Sequence, residues 1–472
     1  MSIFALSLVG LLTVVGNAAS QQGARGELAV ALKGAKEVEV ERVPLACRYR
    51  LVADGGAPTM NRIHERLAGL VAGRWRFKGE GKLEIDENGL GQVWKPVPAS
   101  KPLEAELLID GARWPLLFWR EDGEWFVASA ALLQGTLQGS VLQSYDADLD
   151  GQHGGAQDWM RLGSGSFYLC GAERLAQVGE TLFALSFESS EKSSRVLAAR
   201  VETPESVPLS VALALSELNR WRMQAGFAPM RVNVERTQSL LKHAAYVNMP
   251  GNDGDLQKED PAKPGYSAEG DAAARNSNTL APTVEPIEAI RPSFTTNYNR
   301  YSFLCDPDAG FAAASMRTRN PENHGGRPGY TWLWITGRVG SQLGLPRVQP
   351  APGQTDVALA CDSEYPVSGE QPSLFKTRRG TAIGAYFEPR RWSEIQLTLL
   401  DPKSRPVKGE LFTPARPVCP KAAPDNRDAA FFWPDVPLQP RTRYTVDLRA
   451  TETTPDGPRS VHLRWSFTTA AS

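Results

Sequence analysis

Over two long stretches of this chain apolar residues return at every second position, and only between them do they return at helical spacing. Within residues 35–200 the runs are Lys82-Leu83-Glu84-Ile85, Ala105–Ile109, Trp114–Phe118, Trp125-Phe126-Val127 and Thr181–Leu185. Asp110-Gly111 and Asp122-Gly123 separate them, dipeptides suited to tight turns between strands. One amphipathic helix, Met60 to Val71, is expected to pack on the resulting sheet. Residues 357–470 alternate again, in Tyr444, Val446 and Leu448 and in Trp465 and Phe467, which implies a sheet with one buried face. Between the two, Leu215, Leu218, Trp221 and Arg222 recur as on a helix that Gly226 stops, and Thr237–Met249 sets Leu240, Ala244 and Val247 on one face of a second helix. Strands are expected over Gly310–Met316 and Tyr330–Thr336, and Val348–Asp356, rich in Pro, Gly and Gln, reads as a linker.

A length of 472 residues suggests about three domains. The 12 Trp and 17 Phe, in a chain 42% hydrophobic, argue for packed cores and against disorder. A net charge of −1 gives no electrostatic reason to expect nucleic acid or an anionic membrane as partner. Residues 1–20 carry an apolar run, Ile3–Val15, then the small residues Gly16 to Ser20, and read as a secretory signal without the usual basic start; an uncleaved N-terminal anchor is the alternative. No later stretch is long and apolar enough to span a bilayer. A secreted, periplasmic or cell-envelope location follows as the expectation. The five cysteines, Cys47, Cys170, Cys305, Cys361 and Cys419, lie far apart without a CxxC spacing. Cys47 with Cys170 and Cys361 with Cys419 are one pairing compatible with export, and buried free thiols are the other reading.

The middle of the chain holds "LNRWRMQAGFAPM" from Leu218, "HAAYVNM" from His243 and "KEDPAKPGYSAEG" from Lys258. In this order these motifs resemble the bacterial branch of the SCP/CAP superfamily, the cysteine-rich secretory proteins and their relatives. The run "PLQPRTRYTV" from Pro437 with "WSFTT" from Trp465 resembles the last strands of bacterial Ig-like domains. The two resemblances imply a multidomain α+β chain: a β-rich domain over 35–200, a central α-β-α sandwich over 205–345 and an Ig-like β-sandwich over 357–470. The SCP/CAP cleft is usually lined by two His and two Glu, in some members around zinc. Here Gln257 and Asn299 stand where the two His are expected, Glu269 matches one cleft Glu, and Glu259 stands two residues after Gln257. Carboxamides are poor zinc ligands and cannot serve as general bases near neutral pH, so zinc and a family-type reaction are doubtful. The segment Lys258–Asn278 reads as loop.

A second constellation stands in the N-terminal region. Asp146-Ala147-Asp148-Leu149-Asp150-Gly151, with Asp158 downstream, opens like an oxygen-ligand calcium loop: carboxylates at alternate positions and a Gly for the sharp turn. Position 12 is Gln157 instead of Glu, and the flanks Ser140–Tyr145 and Trp159–Leu162 read as strands, so a helix–loop–helix EF-hand is not expected. A calcium-binding hairpin loop and an ion-free acidic turn both stay open. Among the histidines, His243 reads as packed on its helix, His324 as a loop residue, and His64, His153 and His462 show no partner at a meaningful spacing. Gly163-Ser164-Gly165-Ser166 lacks the GxSxG elbow, and no phosphate-binding glycine motif occurs, so a nucleotide cofactor is not supported.

Three functions follow. The first is an exported binding or scaffold module for a lipid, a glycan or a protein, with a cleft of Gln257, Glu259, Glu269 and Asn299. The second is a cleft hydrolase such as a peptidase, with Glu269 or Glu259 as base. The third is a structural surface protein stiffened by calcium.

Overall fold

The computed structural model describes residues 28–34, 40–51 in part, 74–295, Phe303, 310–336, 347–361, 379–387, 392–417 and 429–471, apart from a few loop residues within these spans. The signal segment, the helix expected over Met60–Val71, Asn299, Cys305 and Cys419 lie outside the described residues.

The described N-terminal residues form three sheets. The largest has eight strands, and its seam is the strand Leu28–Gly34, which pairs antiparallel with Ser193–Arg200 on one side and Leu132–Leu137 on the other. Beyond Leu132–Leu137 come Ser140–Tyr145, Trp159–Leu162 and Tyr168–Leu169. A four-stranded sheet holds Ala112–Glu121 between Leu103–Ile109 and Glu124–Ser129, with Tyr49–Arg50 at its edge. A three-stranded sheet is built on Trp75–Lys78 and Lys82–Ile85. The alternation seen in the sequence is the cause. In Ala112–Glu121 the even side chains Leu116 and Phe118 enter one core with Trp75 and Leu83, while Leu117 and Trp119 enter another with Cys47 and Tyr145.

The four α-helices among the described residues are α1 (Leu209–Gln224), α2 (Val234–Val247), α3 (Ala268–Asn276) and α4 (Pro286–Thr295). They pack against a small mixed sheet of Arg231–Val232, Gly310–Arg317, Gly329–Thr336 and Thr279–Ala281. Helix α1 ends where Gly226 takes φ +80°, with Phe227 N–H returning to Arg222 O at 2.8 Å, a left-handed cap that favours glycine. Helix α3 lies inside the segment expected to be loop. Ser267 Oγ accepts Gly270 N–H at 3.0 Å as its N-cap, and Ala272, Ala273 and Ala274 carry the helix on propensity where apolar periodicity is faint.

In the C-terminal region a four-stranded sheet (Arg347–Gln349, Ile383–Tyr386, Ala429–Pro434, Gly409–Phe412) and a three-stranded sheet (Trp392–Leu400, Arg443–Thr454, Gly457–Thr468) enclose one core that includes Ile383, Phe432, Val446, Trp465 and Phe467. The expected linker is part of this unit. Val348 is buried in its core, and Gly353 N–H bonds Ser466 O at 2.8 Å.

The fold class therefore differs from the one expected. Strands hold 47% and helices 15% of the described residues, so the fold is mostly β, and its centre is not the SCP/CAP α-β-α sandwich. Two of the four strands there, Arg231–Val232 and Thr279–Ala281, are stubs of two and three residues. The motifs that carried the resemblance specify α1, α2 and the turns that follow them. Those are local features, and they do not determine how the surrounding sheet is built.

Candidate functional site

The acidic loop 146–158 joins two neighbouring antiparallel strands, Ser140–Tyr145 and Trp159–Leu162, with Tyr145 opposite Trp159. Its path is fixed from within. Leu149 takes φ +54°, costly for a side chain bearing a Cβ, and its fully buried side chain joins Leu83, Phe118 and Val127. Ala147 is buried in the neighbouring core with Cys47 and Trp119. Gly151 and Gly154 supply φ +77° and +80°, and a Cβ at Gly154 would sit 2.0 Å from the Phe187 ring. Arg174 Nε donates to Gly154 O.

These anchors aim three carboxylates at one point. One oxygen each of Asp146, Asp148 and Asp158 lies within 4.8 Å of the others. Asp146 is 2% exposed and Asp158 1%. Backbone N–H groups hold them in place: Asp146 accepts from Asp150 at 3.3 Å and Gly151 at 3.1 Å, and Asp158 from Ala147 at 3.1 Å and Gly155 at 2.7 Å. Asp150 is not part of the group. It is exposed, and its Oδ1 accepts Gln152 N–H at 2.7 Å.

The electrostatics of the loop are those of uncompensated negative charge. Burial, then the Asp158, Asp148 and Asp150 carboxylates, push Asp146 up to about 8 against the donated N–H bonds. Burial, with the Asp148 and Asp150 carboxylates adding to it, pushes Asp158 up to about 7. His153, whose Nδ1 lies 3.2 Å from Ser144 Oγ, is pulled down by burial to about 4 and so is neutral at physiological pH. Cys47 and Cys170 are separate buried thiols, not a disulfide, and burial, then the Asp158 charge, holds both thiols protonated. Such a cluster either keeps protons near neutral pH or holds a cation. The donor set is all oxygen, which suits a hard divalent ion such as calcium over zinc, and calcium's six to eight ligands leave places for carbonyls and water.

Among the described residues, the predicted cleft side chains of Gln257, Glu259 and Glu269 differ in exposure and partners and form no shared site. Gln257 is exposed. Glu269 is exposed in the first turn of α3 and lies 3.6 Å from Lys242 Nζ. Its own backbone N–H and then Lys242 hold its carboxyl below the usual range, which weakens it as a base. Glu259 has no side-chain exposure. Its Oε1 lies 3.1 Å from His243 Nδ1, and its Oε2 accepts Ser267 N–H at 2.7 Å just ahead of α3. The His243 Nε2 lies 3.1 Å from Leu256 O, and Trp332 Nε1–H donates to that same carbonyl at 2.7 Å. This buried pair is sealed from any substrate and ties α2 to the loop ahead of α3.

Sequence reasoning missed that pair. Its signal was a polar residue, His243, one turn from Tyr246 on an otherwise apolar face, opposite a loop with acids at 255 and 259. Tyr246 Oη donates to Asp255 Oδ2 at 2.6 Å, and Lys263 Nζ to the same oxygen at 2.7 Å. It also missed the partner of His462, whose Nε2 lies 3.0 Å from Asp447 Oδ2 on the adjacent strand. No described helix is long and apolar enough to cross a membrane. No family model, curated protein or solved structure matches the chain.

Proposed function

We propose that this protein is an exported, non-catalytic binding or scaffold module, secreted or periplasmic, whose N-terminal β region is stiffened by a calcium ion at Asp146, Asp148 and Asp158. The observation that carries the reading is the convergence of these three carboxylates, two of them buried, within 4.8 Å. A divalent cation supplies the charge that the loop lacks and ties together the ends of the two strands it connects. Binding of this kind also stabilises the fold. An ion that binds only the folded chain adds about 2.7 kcal/mol at a concentration one hundred times its Kd.

Against a hydrolase stand the burial of Glu259 and the depressed basicity of Glu269, which leave neither of the named bases both exposed and basic. The test is calorimetric titration of chelator-treated full-length protein with calcium, alongside thermal melts. One site per chain, with a Tm several degrees higher on calcium and no response in Asp158→Asn, is the expected result. Heat of binding that survives in Asp158→Asn, or a Tm indifferent to calcium and chelator, overturns the reading.

A further inference from the structure

A cavity of about 250 Å³ opens where the N-terminal sheets meet the C-terminal sandwich. Its charge is one-sided. Arg48, Lys101, Arg120 and Arg443 line it, and Glu121 is the sole acidic residue among its described lining. These residues come from opposite ends of the chain, and Arg48 joins the two: its Nη1 donates to Arg464 O at 3.3 Å while Nε and Nη2 hold Val43 O and Val40 O. The Arg48 guanidinium also lies 3.7 Å from Glu121, so the one carboxylate present is already faced by a cation. Lys101, Arg120 and Arg443 stand as exposed positive groups around the rim.

The floor is apolar. Trp119 and Trp465 both line the cavity and are 3% and 1% exposed. Trp465 Nε1–H is spent on Pro350 O at 2.8 Å, while the buried Trp119 Nε1–H has no acceptor among the described residues. A concave, low-dielectric wall beneath a ring of cations focuses positive potential into the space, and guanidinium groups match the planar or tetrahedral oxygens of an oxyanion.

We propose that this cavity binds the oxyanion group, carboxylate or phosphate, of a small acidic solute. The proposal stands independently of the calcium loop, which no step of it uses. Arg443 contributes a guanidinium charge, Arg120 a second one whose Nε–H is held by Gly123 O at 3.2 Å, Lys101 a point charge on a flexible stem, and Arg48 the fixed inner charge. The site exists only when both regions are docked, so an anion bound here also clamps the C-terminal sandwich to the N-terminal sheets.

The experiment is calorimetric titration of the full chain with inorganic phosphate and, separately, with succinate at constant ionic strength, each with calcium and with chelator. Expected is saturable binding of one anion per chain for at least one of the two, weakened about tenfold in Arg443→Gln and in Lys101→Gln. Both substituted side chains are exposed, so the fold is retained, and far-ultraviolet circular dichroism checks it. Phosphate binding alone identifies a phosphorylated ligand, and succinate binding alone a carboxylic acid. Binding that persists under chelator keeps this proposal even if the calcium reading fails. Absence of saturable binding for both anions, or binding unchanged in both variants, overturns it.

Discussion

Replacing Asp146 by Asn tests the electrostatics of the acidic loop directly. In the ion-free chain this carboxyl sits at about 8 against an ordinary 3.8, chiefly through burial. A raised carboxyl means that the folded state binds more protons than the unfolded one between these values. The stabilisation is thus complete below the ordinary carboxylate range and is lost as pH rises towards 8. At 1.36 kcal/mol per unit, ionising or protonating this one group near pH 7.5 costs up to about 5 kcal/mol, and its coupling to Asp158 means the two costs overlap. Asn carries no charge, so the variant escapes that cost. It gives up one acceptor, because its amide nitrogen must face either Asp150 N–H or Gly151 N–H, for about 1 kcal/mol. Relief of the buried charge outweighs the lost hydrogen bond. In chelator, Asp146→Asn is expected to melt higher than the parent at pH 7.5, with the gap closing towards pH 5. In calcium the order reverses, because the variant has lost an anionic ligand. Differential scanning calorimetry at pH 5, 6 and 7.5, with chelator and with calcium, reads both. A parent protein whose chelated Tm rises from pH 5 to 7.5 relative to the variant contradicts this electrostatic account.

Three further outcomes are expected. Gly226→Ala places a Cβ 2.9 Å from Phe167 O at φ +80°, and a loss of about 1–3 kcal/mol should show as a lower Tm and denaturation midpoint. Glu259→Ala strands the buried His243 and removes the acceptor for Ser267 N–H, costing about 3 kcal/mol, while Glu259→Gln, which keeps an acceptor, should recover part of it in chemical denaturation. Gly154→Ala drives a Cβ into the Phe187 ring, and it should weaken calcium binding in titration as well as lower the Tm.

The strands were legible because alternation is a local signal with a physical cause. Each of the runs named at 82–85, 105–109, 114–118, 125–127 and 181–185 lies within a strand. The loop chemistry was legible for the same reason, since DxDxDG is contiguous and Asp158 stands one position beyond Gln157. Asp150 escaped the pattern because backbone geometry turned its side chain outward to Gln152. The fold class was misread where a local motif was extended to the layers around it. The residues at 218–230 and 243–270 encode helix ends and turns, whereas the dominance of strand over helix is a sum over all the described residues. Helix α3 was hidden because alanine carries propensity without amphipathic contrast. The cavity could not be read at all. Arg48, Arg120 and Arg443 are joined only by tertiary packing, and no periodicity records that.

The seam strand Leu28–Gly34 carries a consequence for how the chain reaches this state. It is the first described strand, yet Gly34 pairs with Leu133 and Leu28 with Ala198, 99 and 170 residues downstream. It also sits so close that a Cβ on Gly135 would touch Val30 at 2.6 Å. A chain made from its N-terminus must hold this strand unpaired on one side until residue 200 has appeared. Closure of the sheet is therefore a late, high-contact-order step. Until then Leu28–Gly34 presents an open edge, a template for a second chain. Aggregation during synthesis, more than equilibrium stability, is where substitutions in Leu28–Gly34 should be felt.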